Sequence, residues 1–289
     1  MLEEHKLTVE EAMALLDAVG KSDAKERAHS GDDVSKLVSR VGKEIGEHAS
    51  KLGDLLDSWG ISSIFAGARQ EVTKEFTGEL LKGETPLDVT LTTRNGSLTV
   101  EPWENDGYKI VARRKVVAAN EDEVEQILAD AVAVSVSSGR MEVIAKETPQ
   151  VRSISLHAYL PANLVYNLRL QTANGAIRAN ELQLEEAYWQ TTNGSIRSLE
   201  IMSKTLAAST TNGSIAVEKS AVNNLRLGTT NGSIRVAPVA GKSEETKVYQ
   251  VSTCNGSISV DLGANFADAG VEFHAKTKWG QIRPIGSWR

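Results

Sequence analysis

Residues 171–179, 190–198, 209–217 and 228–236 read QTANGAIRA, QTTNGSIRS, STTNGSIAV and GTTNGSIRV. The Asn-Gly pairs in these copies begin at Asn174, Asn193, Asn212 and Asn231, a spacing of 19 residues each time. Earlier and later copies start at Asn95 and Asn255, and a divergent Trp-Gly copy starts at Trp279. A fixed period of this size marks a repeat architecture.

Counting from the Asn assigns a job to each position. Two residues before it stands Thr in every copy: Thr93, Thr172, Thr191, Thr210, Thr229, Thr253 and Thr277. Three residues after it comes an aliphatic residue, from Leu98 and Ile177 to Ile282, and four before it the chain is mostly apolar. Alternation of period two on both sides of a tight turn reads as half-buried strands. At that turn Asn and Gly are read as supplying positive φ. Separate hairpins need no fixed length, whereas equal rungs stack in register about 4.8 Å apart. The chain is therefore read as mainly β, a β-solenoid like a parallel β-helix, with rungs of about 19 residues. The 24-residue spacings add a five-residue excursion, the first at Ala240–Thr246. Stacking also turns the repeat into columns. Thr172, Thr191, Thr210, Thr229 and Thr253, with Asn174, Asn193, Asn212, Asn231 and Asn255, are expected to form inward ladders of hydrogen-bonding groups.

Between Asn95 and Asn174 the repeat blurs, and residues 84–165 are read as an irregular front cap of the β domain at 84–289. Tyr108–Val117 alternates like a strand, Glu121–Asp130 suits a short helix, and Val132–Ala145 suits a hairpin turning at Ser138-Gly139. Ahead of the β domain, residues 1–22 carry a capping-box pattern, Thr8-x-x-Glu11, and suit a short helical domain. Residues 23–33 are a polar linker. In 34–83, Val38, Val41, Ile45, Leu52, Leu55 and Trp59 follow the a/d spacing of a coiled coil. Packing against a neighbour, self-association and lying on a membrane surface all suit this helix. A second helix is expected from Ile64 to Leu81, with Phe65, Ala68, Val72, Phe76 and Leu80 on one face.

Composition limits the function classes. The 289 residues carry 40% apolar and 24% charged side chains, ordinary for a globular chain. Residues 1–150 hold 18 basic against 28 acidic residues, and residues 151–289 hold 14 against 10. That balance does not suit a nucleic-acid partner. The single cysteine, Cys254, permits no intrachain disulfide and is expected to face outward. The opening segment lacks the apolar stretch of a secretion signal, and no run of about 18 apolar residues occurs. The expected location is cytoplasmic, peripheral at the membrane.

Catalytic signals are thin. The five histidines show no metal-ligand spacing, and neither Gly-Lys-Ser belongs to a phosphate-binding loop. No cofactor, metal or catalytic residue is assigned. One enzymatic alternative rests on Glu181 and Glu200, each seven residues past its Asn. Stacked about 5 Å apart, they match the carboxylate separation of a retaining polysaccharide-acting glycosidase. A second column is basic: Arg178, Arg197, Arg235 and Arg283 stand four residues past their turns and should face outward, suited to an anionic partner.

The TTNGSIR copies, preceded by Leu160-Pro161-Ala162-Asn163-Leu164, resemble the putative-adhesin β-strand-repeat (toastrack) family. The opening EEHKLTVEEAMALLDAV is similar to the short helical domain at the front of such proteins. The resemblance implies a β-solenoid without established enzymatic activity, of the kind that accompanies bacterial envelope-stress systems of the phage-shock and Lia type. Together with the residues it points to a scaffold or sensor that self-associates. Its expected partners are a protein of a membrane-stress system and an anionic membrane surface. A peripheral membrane binder is the remaining alternative.

Overall fold

The computed structural model describes residues 70–80, 85–116, 131–148, 151–241, 246–262 and 270–285. All of them lie in one compact unit, Ser63–Arg289. The expected helices before residue 64, and the one at Glu121–Asp130, fall outside the described residues.

Each regular rung has a long strand, the Asn-Gly turn, a short strand and a corner. The rungs pair β8 (Tyr166–Gln171) with β9 (Ile177–Asn180), β10 (Gln183–Gln190) with β11 (Ile196–Leu199), and β12 (Met202–Asn212) with β13 (Ile215–Glu218). The series continues through β14 (Ala221–Asn231) and β15 (Ile234–Ala237), then β16 (Lys247–Asn255) and β17 (Ile258–Asp261). It ends at β18 (Val271–Trp279) and β19 (Ile282–Ile285). Long strands pair in parallel with long strands, and short with short. The 19-residue period sets this register: Ile196 faces Ile177 on one side and Ile215 on the other. Two parallel stacks result, as the repeat requires. The first excursion falls between β15 and β16.

Period two separates the faces. Leu170, Trp189, Leu227 and Val251 on the long strands, with Ile177, Ile196, Ile215, Ile234 and Ile258 on the short ones, are buried between the sheets. Each such side chain contributes roughly 1.5–3 kcal/mol by leaving water. The core is thus a row of aliphatic layers, one per rung.

The front is more regular than the expected cap. β2 (Leu87–Thr92) and β3 (Leu98–Trp103) form a full rung around Asn95-Gly96, stacked in parallel on β8 and β9. The chain then leaves the series. It makes β4 (Gly107–Val116), the hairpin β5 (Val132–Ser137) and β6 (Arg140–Ala145), and the long β7 (Val151–Pro161). β6 pairs with β2 and β7 with β3, so these two strands form another rung, on the far side of the β2–β3 rung from β8 and β9. The repeat blurred in sequence because the chain builds this rung out of spatial order.

A helix was expected from Ile64 to Leu81, but residues Gln70–Glu79 form β1, an antiparallel partner of β4. Val72, Phe76 and Leu80 share a face in a helix of period 3.6, but also in a strand of period two. The residues between them do not decide: Thr73 and Thr77 favour a strand, whereas Lys74, Glu75 and Glu79 suit a helix. Phe76 packs against the core, and the buried Arg114 guanidinium lies 5.9 Å from its ring centroid. Desolvation lowers the Arg114 pKa from its usual value. The β architecture therefore begins upstream of residue 84. The sheets run β1-β4-β7-β3-β9-β11-β13-β15-β17-β19 and β18-β16-β14-β12-β10-β8-β2-β6-β5.

Candidate functional site

The turn corner accounts for the repeat's polar residues. Thr172, Thr191, Thr210, Thr229 and Thr253 are buried, and each hydroxyl donates to a glycine carbonyl one rung earlier at 2.9–3.0 Å. The Asn column behaves differently from the expected inward ladder. Asn174, Asn193, Asn212, Asn231 and Asn255 are exposed, and each Nδ2 donates to the Oδ1 of the preceding Asn at 2.6–2.8 Å. Strand parity alone would send Asn inward with the Thr two residues before it, but the turn breaks the alternation and sends Asn outward.

The ladder has a polarity and a terminus. Every amide N–H points toward the front of the stack, where Asn95 donates both its backbone N–H and its Nδ2 to the Glu147 carboxylate. Glu147 sits between β6 and β7, in the turn of the out-of-order rung, where the repeat would place an Asn. An ionised acceptor closing a chain of aligned amides strengthens the chain. The sequence reading missed this residue because nothing local marks Lys146–Thr148 as a repeat turn.

The glycines answer a different need from the expected one. Among the turn glycines only Gly256 has a positive φ, 159°, at the margin of extended backbone. A Cβ on Gly194 or Gly213 would lie 1.9–2.0 Å from the carbonyl oxygen of the glycine one rung earlier. Close stacking of backbone on backbone is what excludes a side chain. Left-handed φ occurs instead at the opposite corner, at Glu181 (53°), Glu200 (55°) and Lys219 (49°).

That corner holds the carboxylate pair of the enzymatic alternative. Glu181 and Glu200 occupy equivalent exposed positions on successive rungs, and Lys219 Nζ lies 3.2 Å from the Glu200 carboxylate. The aromatic neighbours divide between faces: Trp189 is fully buried, while Tyr188 is 44% exposed on the outer face of its sheet, beside Arg169. Among the described residues no cluster of acidic, His or Cys side chains is suited to a metal. Cys254 is exposed.

The basic column lies on the outer face of the other sheet. Arg178 is registered with Arg197, followed by Ala216, Arg235, Ser259 and Arg283. All four arginines are exposed, and Arg235 is paired with Glu218 at 3.2 Å. Toward the front the same row continues through Thr99 on β3, His157 on β7 and Val111 on β4. There a depression of about 340 Å³ opens, bordered by Arg113 and Arg178 and floored by serines and Thr99. Its edge is stiffened by side-chain contacts. His157 Nε2 lies 2.9 Å from Glu101 Oε2, and Asn180 donates to the other carboxylate oxygen at 3.1 Å. Tyr159 stacks on His157 at 4.3 Å, and the Trp103 indole N–H donates to the Gly107 carbonyl. The sequence exposed Arg178. Arg113, His157 and Glu101 come from the blurred region and became neighbours only through the out-of-order rung.

A family model described as Toastrack DUF4097 matches residues 82–283. Among solved structures, the chain is similar to a putative adhesin from Bacteroides fragilis, at 12% identity over 76% of this chain and 99% of that one, with a TM-score of 0.45. A putative cell adhesion protein from Clostridium sporogenes aligns at 12% identity over 74% and 99%, with a TM-score of 0.41. A putative lipid binding protein from Parabacteroides distasonis aligns at 10% identity over 76% and 98%, with a TM-score of 0.32. No curated protein matches the sequence.

Proposed function

The chain belongs to the toastrack DUF4097 family, and on that premise we propose that it is a non-enzymatic binding scaffold of a bacterial envelope-stress system. The outer face of the sheet carrying the arginine column is its contact surface for an anionic envelope component. The observation that carries this reading is the column itself, continuous in register with a polar depression on a face held rigid by two hydrogen-bonded ladders. A preorganised basic face raises the local concentration of an anionic partner without any chemical step. The carboxylates of Glu181 and Glu200 support an enzyme less well, since they stand on an exposed corner with Lys219 paired to one of them.

Self-association through Val38, Val41, Ile45, Leu52, Leu55 and Trp59 belongs to the same proposal, as does a cytoplasmic location at the membrane periphery. Flotation of the full chain with anionic and neutral vesicles, at low and high salt, tests the contact surface. Salt-sensitive recovery with anionic vesicles alone is expected. Equal recovery with both, or none with either, overturns it. Light scattering of the Ile45→Asp, Leu52→Asp double variant tests the seam, and a mass unchanged from the parent removes that part.

A further inference from the structure

We infer that the depression between Arg113 and Arg178 is a binding site for a phosphorylated sugar or polyol unit. This deepens the proposed function by naming the chemistry that the basic face recognises. The strands β4, β7, β3 and β9 lie side by side in that order. Arg113 on β4 is registered with Ser155 on β7, and Arg178 on β9 is registered with Thr99 on β3. Three strand spacings separate the arginine-bearing strands by about 14 Å. Two long side chains therefore rise from opposite rims while Ser97, Thr99, Ser153 and Ser155 keep the floor low. The hollow exists because short residues are flanked by long ones.

The lining selects the ligand. It holds two guanidinium groups and one imidazole, and it holds no carboxylate. Neither arginine has an ion pair or a side-chain hydrogen bond among the described residues, unlike Arg235 in the same row. Glu101, on the neighbouring row, is already engaged by His157 and Asn180. Two guanidiniums without a counter-charge among the described residues suit a phosphate group, which they grip through paired N–H donors. The floor adds hydroxyls. Ser155 Oγ accepts the Ser97 backbone N–H at 3.1 Å, which leaves the Ser155 O–H to donate into the hollow. Hydroxyls that both donate and accept match the hydroxyls of a sugar or polyol. A space of 340 Å³ exceeds a bare phosphate and falls at the small end of ordinary ligand pockets.

Calorimetry on the full chain with glucose 1-phosphate, glucose and inorganic phosphate tests the assignment. Glucose 1-phosphate should bind more tightly than either of its parts. The Arg113→Gln, Arg178→Gln double variant should weaken it by about tenfold or more, the loss expected for charged hydrogen bonds. Ser155→Leu, which fills the floor and keeps both charges, should also weaken it, while Arg226→Gln, at an exposed position on β14 in the other sheet, should leave it within about twofold. Matching denaturation midpoints establish that these outward substitutions fold. No binding of glucose 1-phosphate, or binding unaffected by the double variant, overturns the inference. Competition between glucose 1-phosphate and phosphatidylglycerol vesicles then separates the sources. Displacement of the vesicles identifies a lipid headgroup as an occupant, and its absence leaves a soluble phosphorylated unit. Vesicle flotation that survives the double variant excludes this hollow as the membrane contact, and leaves the wider reading of the basic face standing.

Discussion

Gly213 shows what a single position costs in a stacked structure. An added Cβ would meet the Gly194 carbonyl oxygen at 2.0 Å, and both residues belong to backbone that is locked in register. Gly139, in the β5–β6 turn, is the opposite case: nothing lies near its missing Cβ, but its φ is 73°. Gly213→Ala is expected to destabilise the protein by about 3 kcal/mol or more, because the backbone itself must shift. Gly139→Ala should cost only about 1–2 kcal/mol, the strain of a left-handed L-residue. Urea denaturation of the two variants checks the order, and equal midpoints would remove the stacking argument. Tyr166 and Tyr249 make a second point at this scale. Both are fully buried, donating to the Pro161 and Val222 carbonyls at 2.7 and 2.9 Å, and desolvation pushes both phenols well above their usual pKa. The folded protein thus keeps protons that the unfolded chain gives up near pH 10. Stability should be full below about pH 10 and fall as the pH rises beyond it. Replacing both residues with Phe should lower stability at neutral pH and flatten the alkaline slope, read from denaturation midpoints between pH 8 and 11.

At the scale of elements, the β6–β7 turn closes the Asn ladder. Glu147 accepts two donors from Asn95, so Glu147→Ala leaves a backbone N–H and an amide without their acceptor. A loss of about 1–3 kcal/mol is expected. Faster amide exchange should appear around Asn95 and in β3, with little change in β13 or β15. Uniform exchange across all of these strands would mean that the carboxylate does not anchor the front of the ladder. β1 shows how an element can be misread from its sequence. Its apolar residues recur every four positions, a spacing that helix and strand share, and only the edge offered by β4 decides between them. The pairing also gives the buried Arg114 an aromatic face.

Across the whole described stack, rungs touch only their neighbours, so stability is expected to add rung by rung with the ends weakest. At the last described rung, Ile282 and Ile285 are 44% and 46% exposed and Trp279 is 68% exposed, since β18 and β19 are the end strands of their sheets among the described residues. Native-state hydrogen exchange should therefore give the smallest opening free energies in β18 and β19 and the largest near β11 and β13. A flat profile would mean that the stack opens as one unit. The sequence by itself determined the rung. Its 19-residue period, the invariant Thr and the aliphatic alternation dictate two parallel stacks with an aliphatic core, since any other register would expose that core. It also placed the arginines outward, by parity alone. What only the tertiary structure decided is the front of the molecule. The out-of-order rung brings Glu147 to Asn95 and sets Arg113 and His157 beside Arg178, by contacts between residues about forty to eighty positions apart in the chain. The physical reason is that a repeat encodes its own neighbours, whereas an insertion finds its partner only through the edge that the finished rungs leave open.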